Sequence, residues 1–113
     1  MGKAILVVLT NAADGRHEEF NDWYDNIHLD EIVALECMAG AQRYQAAGTQ
    51  DGSEPPFRYL AIYETNTDDP EEVFGALGKA AADGMDMSGP LDMQNIAVWL
   101  FTEHGARKVA PPS

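Results

Sequence analysis

The chain is poor in residues that several common functions depend on. Its 113 residues include one cysteine, Cys37. No internal disulfide can form, and a lone thiol fits a reducing, cytoplasmic setting as a small buried hydrophobe. Basic residues number seven, spread singly at Lys3, Arg16, Arg43, Arg58, Lys79, Arg107 and Lys108, against nineteen acids, for a net charge of −12. Such a field repels phosphate backbones and anionic headgroups, which excludes nucleic-acid and membrane-surface roles from the expectations. Long apolar runs are missing as well. The opening MGKAILVVLT falls far short of the ~20 residues of a membrane helix and lacks the plan of a signal peptide. His17, His28 and His104 lie on separate elements and no HxH or CxxC pair occurs, so neither a metal nor a cofactor is expected. GxSxG, Walker and GxGxxG motifs are absent too, which removes the serine-hydrolase, P-loop and dinucleotide-binding readings.

What the chain does have is concentrated between Glu18 and Leu35, EEFNDWYDNIHLDEIVAL. At about 100° per residue, Phe20, Trp23, Tyr24 and Ile27 form an apolar helix face, with Asn21, Asp25 and His28 along the border beside Tyr24. Tyr24 and His28 are stacked one turn apart. Asp25 stands three residues before His28, placed to orient or charge-stabilise the imidazole. The commoner fate of such a histidine is to sit partly exposed at a helix end, and Phe20 and Trp23 are most simply core anchors.

The remaining elements follow from periodicity and punctuation. Residues 3–10 read as a strand apolar on both faces. Asp14 is a candidate N-cap for the first helix, which is expected to reach His28, bend there, and resume as a short segment, Glu31 to Leu35, capped by Asp30. Alternation marks strands at about 38–47 and 57–64, separated by the turn-rich GTQDGSEPP. Asp69-Pro70-Glu71-Glu72 is the signature of a capped helix start, and that helix is expected to end near Asp83 with Gly84 behind it. MDMSGPLDM, residues 85–93, reads as an adaptable flap. A last strand over 95–103, again apolar on both faces, closes a single domain of residues 1–105, followed by a flexible tail over 106–113.

The order β-α-β-β-α-β with right-handed crossovers predicts an α+β, ferredoxin-like domain: a four-stranded antiparallel sheet with both helices on one face. The doubly apolar strands then require a cover for the other face, and a second copy meeting it sheet to sheet, a homodimer, supplies one. EFNDWYDNIHLDEIVALECMAGAQRYQ, Glu19 to Gln45, resembles the dimeric α/β barrel superfamily and, within it, the EthD-like group. The shared pattern is an aromatic-rich first helix, a histidine before a Leu-Pro, a Pro-Gly-Phe entry to the second strand, and an Ala-Gln-Arg-aromatic strand. Asp30 replaces the usual proline, Glu36 and Cys37 the Pro-Gly, and Met38 the phenylalanine.

The resemblance implies a pocket between sheet and helices lined by His28 as general acid/base. On that basis the leading expectation is a cofactor-independent enzyme of isomerase, cyclase or lyase type acting on a small apolar carbonyl or aromatic compound. His28 would move the proton, Tyr24 would donate to a developing enolate oxygen, and Asp25 or Asn21 would hold the imidazole. Trp23, Tyr59 and Trp99 are candidate apolar walls, and Arg43 a candidate partner for a substrate carboxylate or an ordinary ion pair. The alternatives are a non-catalytic dimer that binds a small hydrophobic ligand and, less favoured, a haem-dependent or cofactor-free monooxygenase.

Overall fold

In the computed structural model, which describes residues 3–85 and 90–112, four strands form one antiparallel sheet in the order β2-β3-β1-β4. They are β1 (Ala4–Thr10), β2 (Met38–Gln45), β3 (Tyr59–Thr65) and β4 (Ala97–Thr102). A helical run of α1 (His17–Trp23), a π turn (Tyr24–His28) and α2 (Leu29–Val33) links β1 to β2, and α3 (Pro70–Ala82) links β3 to β4. This is the expected ferredoxin-like α+β architecture. β3 inserts between β1 and β2 because each crossover must carry a helix back over one face, leaving room for the hairpin strand.

Registry fixes which side chains meet the helices. Val8 faces Ala61 across β1 and β3 and Val98 across β1 and β4, whereas Val7 faces Ile62 and Trp99. With side chains alternating, Leu6, Val8, Tyr59, Ala61 and Tyr63 point under the helices, and Phe20, Trp23, Tyr24, Ile32 and Val73 pack down on them to form the core. The opposite face carries Ile5, Val7, Leu9, Trp99 and Phe101. A bulge between Met38 and Gly40 shifts the β2 register at its start, and Thr65 ties the far end of the sheet by accepting from the Ala4 amide at 3.0 Å.

α3 begins as expected. Asp69 accepts from the Glu71 amide at 3.0 Å, with Pro70 in the first turn. It ends with Gly84 at φ +103, a left-handed conformation that glycine adopts without the Cβ clash, and with Met85 N–H returning to the Ala80 carbonyl at 3.0 Å. The start of α1 corrects one expectation: Arg16, not Asp14, is the N-cap, and no side chain caps it. Of the segment read as a flap, residues 86–89 lie outside the described residues. Residues 103–112 are exposed and without regular structure. No helix among the described residues is long and apolar enough to cross a membrane.

Candidate functional site

The helical run continues through His28 without a break. Trp23, His28 and Leu29 all keep right-handed helical angles, Asp30 caps nothing, and the Leu29 N–H bonds to the Tyr24 carbonyl, five residues back. That i→i−5 bond accommodates one extra residue in the turn, so every position after it rotates relative to a regular helix. The inward positions therefore run Phe20, Trp23, Tyr24, His28, Ile32, all buried, while Ile27, expected on the apolar face, is 45% exposed. The π turn exchanges an isoleucine for a histidine on the inner face.

His28 is 8% exposed. Its ring stacks on Trp23 with centroids 4.7 Å apart and planes 17° from parallel, and meets the Tyr24 ring edge-on at 5.0 Å. Tyr24 Oη lies 2.8 Å from Tyr63 Oη, which reaches up from the centre of β3. These three residues line a cavity of about 350 Å³ between the sheet and the helices, at the lower end of the ~300–1,000 Å³ typical of small-molecule sites. Leu6, Val8, Ile32, Leu77 and Leu91 make most of its other walls, Thr10 adds a hydroxyl, and Phe74 and Val98, both over a third exposed, stand at its mouth.

Burial lifts the Tyr24 phenol above its ordinary range, against smaller opposing effects of the Tyr63 hydrogen bond and the Arg43 charge. Burial first, and then the neighbouring Tyr24, drives the Tyr63 phenol higher still. Both stay protonated at neutral pH, and either hydroxyl can donate to the other. The site thus presents two neutral hydroxyls and an imidazole within an apolar wall, a set able to donate to an oxygen and to carry a proton.

The other expected site residues are not gathered in this cavity. Asp25 is exposed and its carboxylate takes Arg43 Nη1 at 2.7 Å, so it stands as the counter-ion of Arg43 where it was expected to orient His28. Asn21 Oδ1 accepts from Arg43 Nη2 at 3.1 Å, and its amide donates to Tyr59 Oη at 3.2 Å. Tyr59 Oη in turn lies 3.1 Å from His17 Nδ1. Asn21, Asp25, Arg43 and Tyr59 therefore form a polar cluster on the flank of α1 toward β2 and β3, outside the cavity lining. Trp23 supports His28 from behind. Trp99 corrects the expectation of an apolar wall: paired with Val7, it projects from the opposite sheet face and is 65% exposed. Its strand is apolar on both sides, so composition could not tell which side turned inward.

Tyr63 was missed as a site residue. Its alternation with Tyr59 and Ala61 placed it on one strand face, and two phenols on that face were the available signal. His28 and Glu31 stand in His-x-x-Glu spacing, but no group of three His, Cys, Asp or Glu able to hold a metal occurs among the described residues.

No protein-family model matches the chain, and no curated protein matches it. Solved structures do. One is an ethyl tert-butyl ether D (EthD) family protein from Bacillus halodurans, 13% identical with a TM-score of 0.58, over 92% of this chain and 100% of that one. Another is an EthD-like protein from Ralstonia eutropha, 18% identical with a TM-score of 0.53, over 86% of this chain and 91% of that one. The chain has the EthD-like fold. At these identities the likeness concerns the fold alone.

Proposed function

We propose that this protein is a cofactor-independent enzyme that isomerises, cyclises or cleaves a small, neutral carbonyl or aromatic compound by proton transfer, with His28 as general acid/base. One observation carries the reading: a buried imidazole and a hydrogen-bonded phenol pair share the wall of an otherwise apolar cavity. Neutral His28 would remove a proton from carbon next to the substrate carbonyl. The C–H electrons would move into the new C=C bond and the carbonyl electrons onto oxygen, where Tyr24, backed by Tyr63, would donate a hydrogen bond. The imidazolium would then return the proton to carbon, so the step consumes no oxidant or reductant. No Lys or Arg stands among the described lining residues, which favours an uncharged substrate over the carboxylate first considered for Arg43.

The open sheet face supports a homodimer joined through the sheets, since Ile5, Trp99 and Phe101 are 38%, 65% and 52% exposed in the single chain and contiguous apolar surface of that kind marks an interface. Buried Cys37, whose thiol burial pushes upward, supports a structural thiol and a cytoplasmic setting.

Replacing His28 by Phe tests the catalytic reading, because it keeps aromatic bulk against Trp23 and removes the proton carrier. Turnover is expected to fall about a hundred-fold or more with mass and melting temperature retained. Undiminished turnover in the folded variant would reject the role. Ligand binding without turnover in the wild type would make the protein a carrier of small hydrophobic molecules.

A further inference from the structure

The polar cluster outside the cavity has a geometry that a surface ion pair does not need. The Arg43 side chain is only 12% exposed. Its Cζ lies 4.2 Å from the centroid of the Tyr24 ring, 5.3 Å from that of Tyr59 and 5.4 Å from that of Phe20. Asp25 and Asn21 grip its two terminal nitrogens. The grip is itself braced. Asn21 spends its carbonyl on Arg43 and its amide on Tyr59, whose hydroxyl also lies within hydrogen-bond distance of His17 Nδ1. Arg43 Nε is buried without a hydrogen-bond partner among the described residues, so the guanidinium is held here at a desolvation cost that an exposed arginine would avoid.

What this cluster presses against is the ring of Tyr24, a residue that also lines the cavity and whose hydroxyl bonds with that of Tyr63. We propose that Arg43 is a positioning residue for Tyr24. Its guanidinium, fixed on the ring outside the cavity, strengthens the phenol as a hydrogen-bond donor inside it. A cation over a ring favours the electron-rich phenolate and any state that approaches it, such as a phenol donating to a developing oxyanion. The charge acts from behind the ring, so the cavity wall stays neutral and apolar while its donor is sharpened. Among the described residues, Arg43 from β2, Tyr63 from β3 and His28 from its own π turn face Tyr24. Of these Arg43 alone carries a permanent charge, and Asp25 moderates it. The purpose of the device rests on Tyr24 being the donor of the proposed reaction, but the device is testable without a substrate.

The experiment places a fluorinated tyrosine at position 24 of the full chain. Fluorination lowers the phenol's pKa into a range where the fold persists, and the fluorine NMR shift reports its ionisation. In the Arg43→Gln protein the midpoint is expected to rise by about one pH unit, a tenfold loss of acidity, with Arg43→Lys in between because it keeps the charge and loses the flat stacking. Asp25→Asn, at a half-exposed carboxylate, is expected to shift the midpoint the opposite way, downward, because the guanidinium then acts unopposed. General loosening of the fold would not give shifts of opposite sign. A folded Arg43→Gln protein within about 0.3 unit of the parent would overturn the proposal. Should Arg43→Gln fail to fold, an Asp25→Asn midpoint that stays or rises would do the same. Failure of the His28→Phe test would leave these shifts untouched, so the two readings can fall separately.

Discussion

On the face of the sheet that the helices cover, the strands present Thr10, Arg43, Tyr59, Tyr63 and Thr65 among their apolar residues. On the face left open they present Ile5, Val7, Leu9, Trp99 and Phe101, with Gln42, Tyr44 and Glu64 toward the β2 edge. Both features cost a lone globular domain, since covered hydroxyls and guanidinium groups lose water and exposed aliphatic and aromatic groups order it. The covered polar groups are accordingly bonded to one another: Thr65 to the Ala4 amide, Tyr63 to Tyr24, Tyr59 to Asn21, Arg43 to Asp25. The open face has no such internal remedy. On the proposed function the difference separates two jobs, with chemistry beneath the helices and association on the bare side.

The largest effect expected from breaking this division is on the open face. Trp99→Glu sets a charge on the face that the proposed sheet-to-sheet interface covers and should weaken the dimer by at least about 2 kcal/mol, roughly thirtyfold. Light scattering across a dilution series measures it, and a wild-type protein already monomeric at micromolar concentration would remove the second job altogether. On the covered face, Tyr24→Phe strips Tyr63 of its partner, at about 1–3 kcal/mol for a buried hydroxyl left unpaired. Adding Tyr63→Phe should return part of that loss in urea unfolding. A double variant as weak as the sum of the singles would show that the phenols are not coupled.

The same pair gives a pH dependence of defined sign. Both phenols titrate above their unfolded value of 10.0 in the folded protein, so the folded state favours their protonated forms. Their contribution is complete below about pH 10 and is lost as pH rises through the folded values. The melting temperature should hold to that point and then fall, with phenolate absorbance from these two residues arriving together with unfolding, and the double Phe variant should lack this component. Smallest is a contrast within α3. A Cβ at Gly75 or Gly78 would meet no atom within 4 Å, so each change to Ala should stabilise by about 0.5–1 kcal/mol through helix propensity. Only Gly78 lines the cavity, so only Gly78→Ala should also weaken ligand binding. Equal effects of the two on a ligand would place the binding site elsewhere.

The architecture was legible because its signals are local. Alternation in Tyr59 to Glu64 and the Asp69-Pro70 cap each name an element from a few neighbouring residues, and the order of elements leaves few topologies. The site was legible in part. Tyr24 and His28 could be paired from their spacing, but the π turn that turns His28 inward and Ile27 outward has no residue signature. Arg43 and Asp25 lie eighteen residues apart in sequence and meet only when β2 comes to rest beside α1, so Asp25 was read against its helical neighbour His28. Trp99 shows the same limit in a strand, where two apolar faces read alike until a register is chosen.

Proton transfer by His28 is tested most directly by following deuterium from heavy water into the carbon next to the carbonyl of small neutral ketones and aromatic ketones incubated with the protein, by NMR. Wild-type protein should catalyse incorporation into those that fit the cavity, and His28→Phe, at equal concentration and with its fold verified, should do so about a hundred-fold more slowly or worse. Incorporation at the same rate in both proteins would contradict the assignment of His28 as the acid/base.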